Sequence, residues 1–318
     1  MNQPVTAKPA LWLRILRNPL TRIVLFIAMV FVIGKAMHWL LPYKALKPDA
    51  AMAVTGGELW LRALRSVVPM ALAYWVLVRL VEGRRVSELA PRKLLTHSAA
   101  GWLVGMAVLL LAAGAMAVFG AYRIQGFNGG AYLLGPLVVL GLLPGITEEI
   151  VARGILFRVV EDGLGTWIAL VFSALLFGAG HLANPNATLW SSAAIAIEAG
   201  LLLGMAYAWT RSLWFCMGLH AAWNFTQGPL LGIPVSGFDV DSLLTSTTQG
   251  PVLLSGGEFG AEASILTVII CVTIAGYFTR RAIDAGKIVP PFWRRPKAAP
   301  SSTAPAPEAR LVAPEPAP

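Results

Sequence analysis

The chain has 318 residues, of which 57% are hydrophobic and only 13% charged, with mean hydropathy +0.68 and formal net charge +9. A soluble domain carries roughly 25% charged residues, so this composition excludes an ordinary soluble globule and points to a polytopic helical membrane protein. The two cysteines, Cys216 and Cys271, both lie in apolar runs and exclude a disulfide framework or a metal-spaced pair.

Residues 1–20 are polar and basic, with Lys8, Arg14 and Arg17. A first span is expected over 21–41. It is long for the apolar part of a cleaved signal peptide and lacks a small-x-small cleavage site, so it reads as a retained anchor. A second span is expected over 58–80, followed by a basic loop with Arg84, Arg85, Arg92 and Lys93. The third covers 98–120. After a turn containing Gly126, Gly129 and Gly130, the fourth runs over 132–161 and closes at Gly163-Leu164-Gly165. The fifth, over 166–182, ends at Asn184-Pro185-Asn186; the sixth covers 189–209 and turns at Thr210-Arg211-Ser212. The seventh spans 213–225. A long Gly/Ser/Pro loop with Asp239, Asp241, Glu258 and Glu262 leads to an eighth span over 263–278. Residues 281–318 are basic, then Pro/Ala-rich, and read as a disordered tail. The expected fold is all-α, about eight transmembrane helices enclosing an intramembrane cavity.

The bases fall in alternate loops of this plan, and the positive-inside rule then places both termini in the cytoplasm, in the inner membrane of a bacterium. The charge of +9 is thus a topology signal with some attraction to anionic lipid. Basic patches interleaved with aromatics are absent, so no nucleic-acid partner is expected.

The most informative stretch is Thr147-Glu148-Glu149-Ile150-Val151-Ala152-Arg153-Gly154. It sets two acids and a base in an apolar helix, where each ionisable side chain costs roughly 3 kcal/mol. Glu149 and Arg153 stand at i and i+4 with the acid first, the favourable order for a helical ion pair. Glu148 points about 100° away and is left unpaired, as a general base requires. The competing reading is that all three brace the bundle. His181 and His220 lie inside spans five and seven, and a lone buried histidine is more often packing than chemistry. Depth changes that balance. Glu148 lies 16 residues before Leu164 and His181 lies 17 after it, so an antiparallel hairpin brings them to nearly one height. His220 is shallower by count, and helix tilt has to close the gap. Asn224 shares its face at i+4.

Two chemistries suit this set. Glu148 and His181 can take a proton from water while His220 and Asn224 donate to an oxyanion. Alternatively Glu148, His181 and His220 can ligate zinc with an open position. No metal is firmly expected. There is no His-Glu-x-x-His, and no carboxylate is evidently placed behind either histidine to fix its tautomer. Glu198 in span six reads first as a hydrogen-bonded interior acid, second as a contact to substrate or to Arg153.

Glu148-Glu149 with Arg153, then Phe177-Gly178-Ala179-Gly180-His181, then His220-Ala221-Ala222-Trp223-Asn224, resemble the three ordered motifs of the CAAX-protease and bacteriocin-processing family of intramembrane peptidases. Asn184-Pro185, Gly200 to Gly204 and Ser212-Leu213-Trp214 fit as flanks, and the resemblance covers about residues 135–237. It implies an eight-helix bundle with a site open toward the cytoplasm. It also implies cleavage near the C-terminus of a peptide or lipidated protein. Carried over by position, Glu148 and His181 would activate water, His220 and Asn224 would stabilise the oxyanion, and Glu149 and Arg153 would support the site. A non-catalytic immunity or scaffold protein is the alternative. A transporter would show inverted repeats and broken spans in both halves, which this sequence lacks.

Overall fold

The computed structural model describes residues 11–42 and 53–295; Lys8, Lys297 and the Pro/Ala-rich tail lie outside the described residues. The main helices are α1 (Pro19–Leu40), α2 (Gly56–Val81), α3 (Pro91–Val118), α4 (Leu134–Leu164), α5 (Thr166–Ala183), α6 (Leu189–Thr210), α7 (Leu213–Phe225) and α8 (Ile265–Asp284). All but α7 are long and apolar enough to cross a membrane. The protein is therefore a polytopic all-α membrane protein.

Local sequence explains the helix boundaries. Asn18 caps α1 by accepting from the Leu20 amide at 3.0 Å, with Pro19 in the first turn. The third helix begins at Pro91, seven residues before the expected 98, because proline is well suited to a first helical turn and Arg92 and Lys93 belong to the helix rather than to a loop. α1 is peripheral and mostly exposed, whereas α6 is central and mostly buried.

The seventh expected span is a different object from the others. α7 has 13 residues, and all except Trp214 and Phe225 are buried. It continues as a π-helical turn, Thr226–Leu230. Small residues let α3 and α7 touch backbone to backbone. A Cβ at Gly105 would lie 2.2 Å from the Leu219 carbonyl oxygen, and one at Gly218 the same distance from that of Ser98. This contact fixes the helix that carries His220.

Two strands escaped the sequence reading. β1 (Tyr122–Phe127) pairs antiparallel with β2 (Leu244–Thr248), Tyr122 opposite Thr248, with a bulge between Ile124 and Gly126. They replace parts of an expected turn and an expected loop. Asn128 reinforces the closure by donating to Asp241 at 3.0 Å. The alternation in β1 lasts only from Tyr122 to Gln125, β2 is polar after Leu244, and the partner lies far along the chain, so no local signal marks the pairing.

The opposite end of the bundle is tied by charge. Arg158 reaches Glu82 at 2.9 Å, Arg22 reaches Asp162 at 2.8 Å, and Arg84 reaches Glu88 at 2.8 Å. Arg211 pairs with Glu161, and Tyr74 donates to Glu88. Burial opposes ionisation of Glu82, but Arg158, Arg84 and Arg22 outweigh it and hold the carboxyl below its usual range. Glu88, also buried, is brought down to about 2 by Arg84 and the Tyr74 hydrogen bond.

Candidate active site

Glu149 and Arg153 form their ion pair at 2.8 Å, with both side chains essentially inaccessible. The guanidinium is held on other sides too. It donates to the Ala199 carbonyl at 2.8 Å and lies 4.8 Å from the centre of the Phe177 ring. Glu149 has a second partner: its Oε1 also accepts from His220 Nδ1 at 2.9 Å. The expectation that no carboxylate stands behind either histidine is therefore corrected. Glu149 orients His220, and span four supplies it because the Glu149 face looks across to α7.

His181 is pinned in the same manner by backbone. Its Nδ1 lies 2.8 Å from the Phe177 carbonyl oxygen, which can only accept, so Nδ1 carries a proton and, in the neutral ring, the lone pair is on Nε2. An ionised Glu149 imposes the same tautomer on His220. To donate to an oxyanion through Nε2, His220 has to carry a second proton beside that carboxylate. Phe177, the first residue of the second motif, is a hub. Its ring centre lies 4.9 Å from that of His181 and 6.1 Å from that of His220.

Glu148 is different from its neighbour. It is half-buried, lines the cavity and, among the described residues, takes no hydrogen bond or ion pair. Asn224 also lines the cavity, with one amide hydrogen committed to the Leu140 carbonyl at 2.9 Å. One cavity of about 530 Å³ collects Glu148, His181, His220 and Asn224 together with Glu198 and Glu262.

Wider helical turns make this convergence. α4 is π-helical over Leu137–Leu142 and Ile150–Phe157, and α6 over Ala196–Gly200. Such turns rise less per residue and leave carbonyls without their usual partner. Leu140 and Ala199 use that freedom to accept from Asn224 and Arg153. No residue type announces these turns.

Glu198 is neither the hydrogen-bonded interior acid nor the Arg153 contact that the sequence suggested. It is fully buried and lines the cavity, yet among the described residues neither carboxyl oxygen has a hydrogen-bond partner. Arg153 turns to the adjacent carbonyl of Ala199 instead. Glu262 is the residue that sequence reasoning missed. It accepts from the Ser236 amide at 2.6 Å and from the Ser236 hydroxyl, and holds that residue at φ 47° on the cavity rim. Burial pushes its carboxyl above the usual range, opposed by His181 and the Ser236 hydrogen bonds. Its only sequence signal is an acid flanked by alanines at the foot of α8.

The zinc alternative meets a geometric difficulty. Glu148, His181 and His220 share one cavity, but among the described residues no group of three His, Cys, Asp or Glu side chains is spaced to hold one ion. As placed, these residues do not fit a zinc site, although both histidines have the outer acceptors that such a site uses.

No curated protein and no solved structure matches the chain. Residues 129–226, the stretch carrying Glu148, Glu149, Arg153, His181, His220 and Asn224, match the Rce1-like family model, type II CAAX prenyl endopeptidase Rce1-like.

Proposed function

We propose that the protein is an intramembrane endopeptidase of the CAAX type, hydrolysing a peptide bond near the C-terminus of a peptide or lipidated protein. The observation that carries this reading is an unpaired Glu148 in a cavity shared with two imidazoles, each fixed through Nδ1. In this mechanism the Glu148 carboxylate takes a proton from water as the water oxygen attacks the scissile carbonyl carbon. His181 Nε2 orients the water. The free amide hydrogen of Asn224, and His220 when doubly protonated, stabilise the oxyanion. The tetrahedral species collapses with cleavage of the C–N bond, and the proton held by Glu148 passes to the leaving amine. Every proton is accounted for without a metal. The chain sits in a bacterial inner membrane with both termini cytoplasmic, in contact with anionic lipid.

The test is purified protein in lipid with a quenched fluorogenic peptide bearing a farnesylated cysteine four residues from its C-terminus. Cleavage that survives exhaustive chelation and is abolished by Glu148→Gln supports the proposal. Cleavage lost on chelation and restored by zinc alone makes Glu148, His181 and His220 ligands. Cleavage untouched by Glu148→Gln removes Glu148 from the mechanism.

A further inference from the structure

The described Lys and Arg side chains are divided unequally between the two ends of the bundle. One end holds Arg17 and Arg22, the five bases from Arg79 to Lys93, Arg158, Arg211, and the five from Arg280 to Arg295. The other end holds Lys35, Arg62, Arg65 and Arg123, and Arg153 lies between. This asymmetry assigns the first end to the cytoplasm. The cavity belongs to the second. Its rim is made by Asn184, which follows α5, by Val235, Ser236 and Phe238 of the loop after α7, and by Glu262 before α8. Those segments are bound to one another: Asn184 donates to the Ser236 carbonyl at 3.2 Å, and Ser236 donates to Glu262. All three lie at the end that carries the β1–β2 pair, remote from the basic loops.

The cavity is also floored on the cytoplasmic side. Toward the basic ends of α4 and α6 it is lined by Leu156, Leu202 and Leu203. Beneath them Tyr74, Phe157 and Tyr207 are buried, the last two edge to face with ring centres 5.6 Å apart. The Tyr74 hydroxyl already belongs to the charged layer through Glu88. None of the paired acids or bases of that layer reaches the cavity wall. A peptide arriving from the basic side meets ion pairs and then packed aromatic rings.

We propose that the cavity opens on the membrane face opposite the basic loops, so that its substrate is an exported segment: a peptide outside the cytoplasm, or the outward-facing tail of a membrane-anchored protein. The site thus faces away from the cytoplasm, contrary to what the family resemblance implies. What the cavity does rests on the peptidase reading; which way it faces does not.

Both native cysteines are buried, so the intact chain is suited to thiol mapping. Thr245 on β2 and Ser87 in the basic loop are exposed, and Thr245→Cys and Ser87→Cys are near-isosteric. With a membrane-impermeant maleimide on spheroplasts, Thr245→Cys is expected to label fully and Ser87→Cys only after permeabilisation. Labelling of Ser87→Cys in intact spheroplasts, or of Thr245→Cys only after lysis, overturns the proposal. A second arm uses oriented proteoliposomes and the farnesylated peptide. Cleavage confined to the Thr245 side agrees with the proposal, and cleavage confined to the Ser87 side overturns it. If neither side supports cleavage while labelling is as expected, the peptidase reading fails and the orientation stands.

Discussion

The two ends of this bundle treat carboxylates in opposite ways. At the basic end each buried acid is matched: Glu82 with Arg158, Arg84 and Arg22, Glu88 with Arg84 and Tyr74, Glu161 with Arg211 and Thr166. At the cavity end, among the described residues, Glu148, Glu198 and the second oxygen of Glu149 have no hydrogen-bond or ion-pair partner. A buried charge is costly unless it is paired. Pairing at one end serves cohesion. Its omission at the other leaves groups poised to meet a substrate or a proton.

Breaking the unmatched end at its chemical centre carries the largest expected effect. Glu148→Gln should lower turnover by about 10²–10⁴-fold, the usual contribution of general acid–base catalysis. Its melting temperature in detergent should stay within about 2 °C of the parent. A matching loss of stability would move Glu148 to the structural side of the comparison.

Arg153→Ala comes next, and it should act on stability first. It leaves Glu149 buried without its cation, a change of about 3–5 kcal/mol, and frees His220 from a fixed carboxylate. Thermal unfolding should shift strongly downward, and the double variant Glu149→Gln with Arg153→Met should recover part of the loss. An unchanged melting curve would mean that the brace carries no stability.

The matched end should respond to acid. Glu88 is held at about 2, below the ordinary carboxyl value. A depressed folded value stabilises the fold above the unfolded pKa, and that stability is lost as pH falls from about 4.5 toward 2. Melting temperature measured against pH should therefore fall across this window in the parent, and Glu88→Gln should show a flatter acid limb. Equal limbs would remove Glu88 from the balance.

The smallest effect is expected at Glu198. Since its carboxyl has no partner to lose, Glu198→Gln should leave the melting temperature unchanged or raise it by an amount worth about 1 kcal/mol. A drop of several degrees would show that the acid is engaged after all.

How much of this was legible in the sequence follows from the range of each interaction. The Glu149–Arg153 pair is a matter of helical spacing and can be read directly. The helix count follows from apolar run lengths, apart from α7, whose 13 residues are too few to cross a membrane as a simple span. What could not be read joins distant segments: Glu149 to His220, Glu262 to Ser236, β1 to β2. The π-helical turns were equally hidden, because they answer to packing between helices and not to any residue's own propensity. Glu198 misled for a related reason. Sequence indicates a buried acid, but not that its nearest guanidinium turns to the neighbouring carbonyl.

Phe177 has one further consequence. Its carbonyl sets the tautomer of His181, its ring carries the guanidinium of Arg153, and its edge approaches His220. The two imidazoles are therefore mounted on a common pivot. Energetically they form one unit, and substitutions at Arg153 and His181 should interact in a double-mutant cycle although the two side chains belong to different helices. Phe177→Leu, which keeps the carbonyl and removes the ring, should weaken that coupling while leaving the His181 tautomer in place.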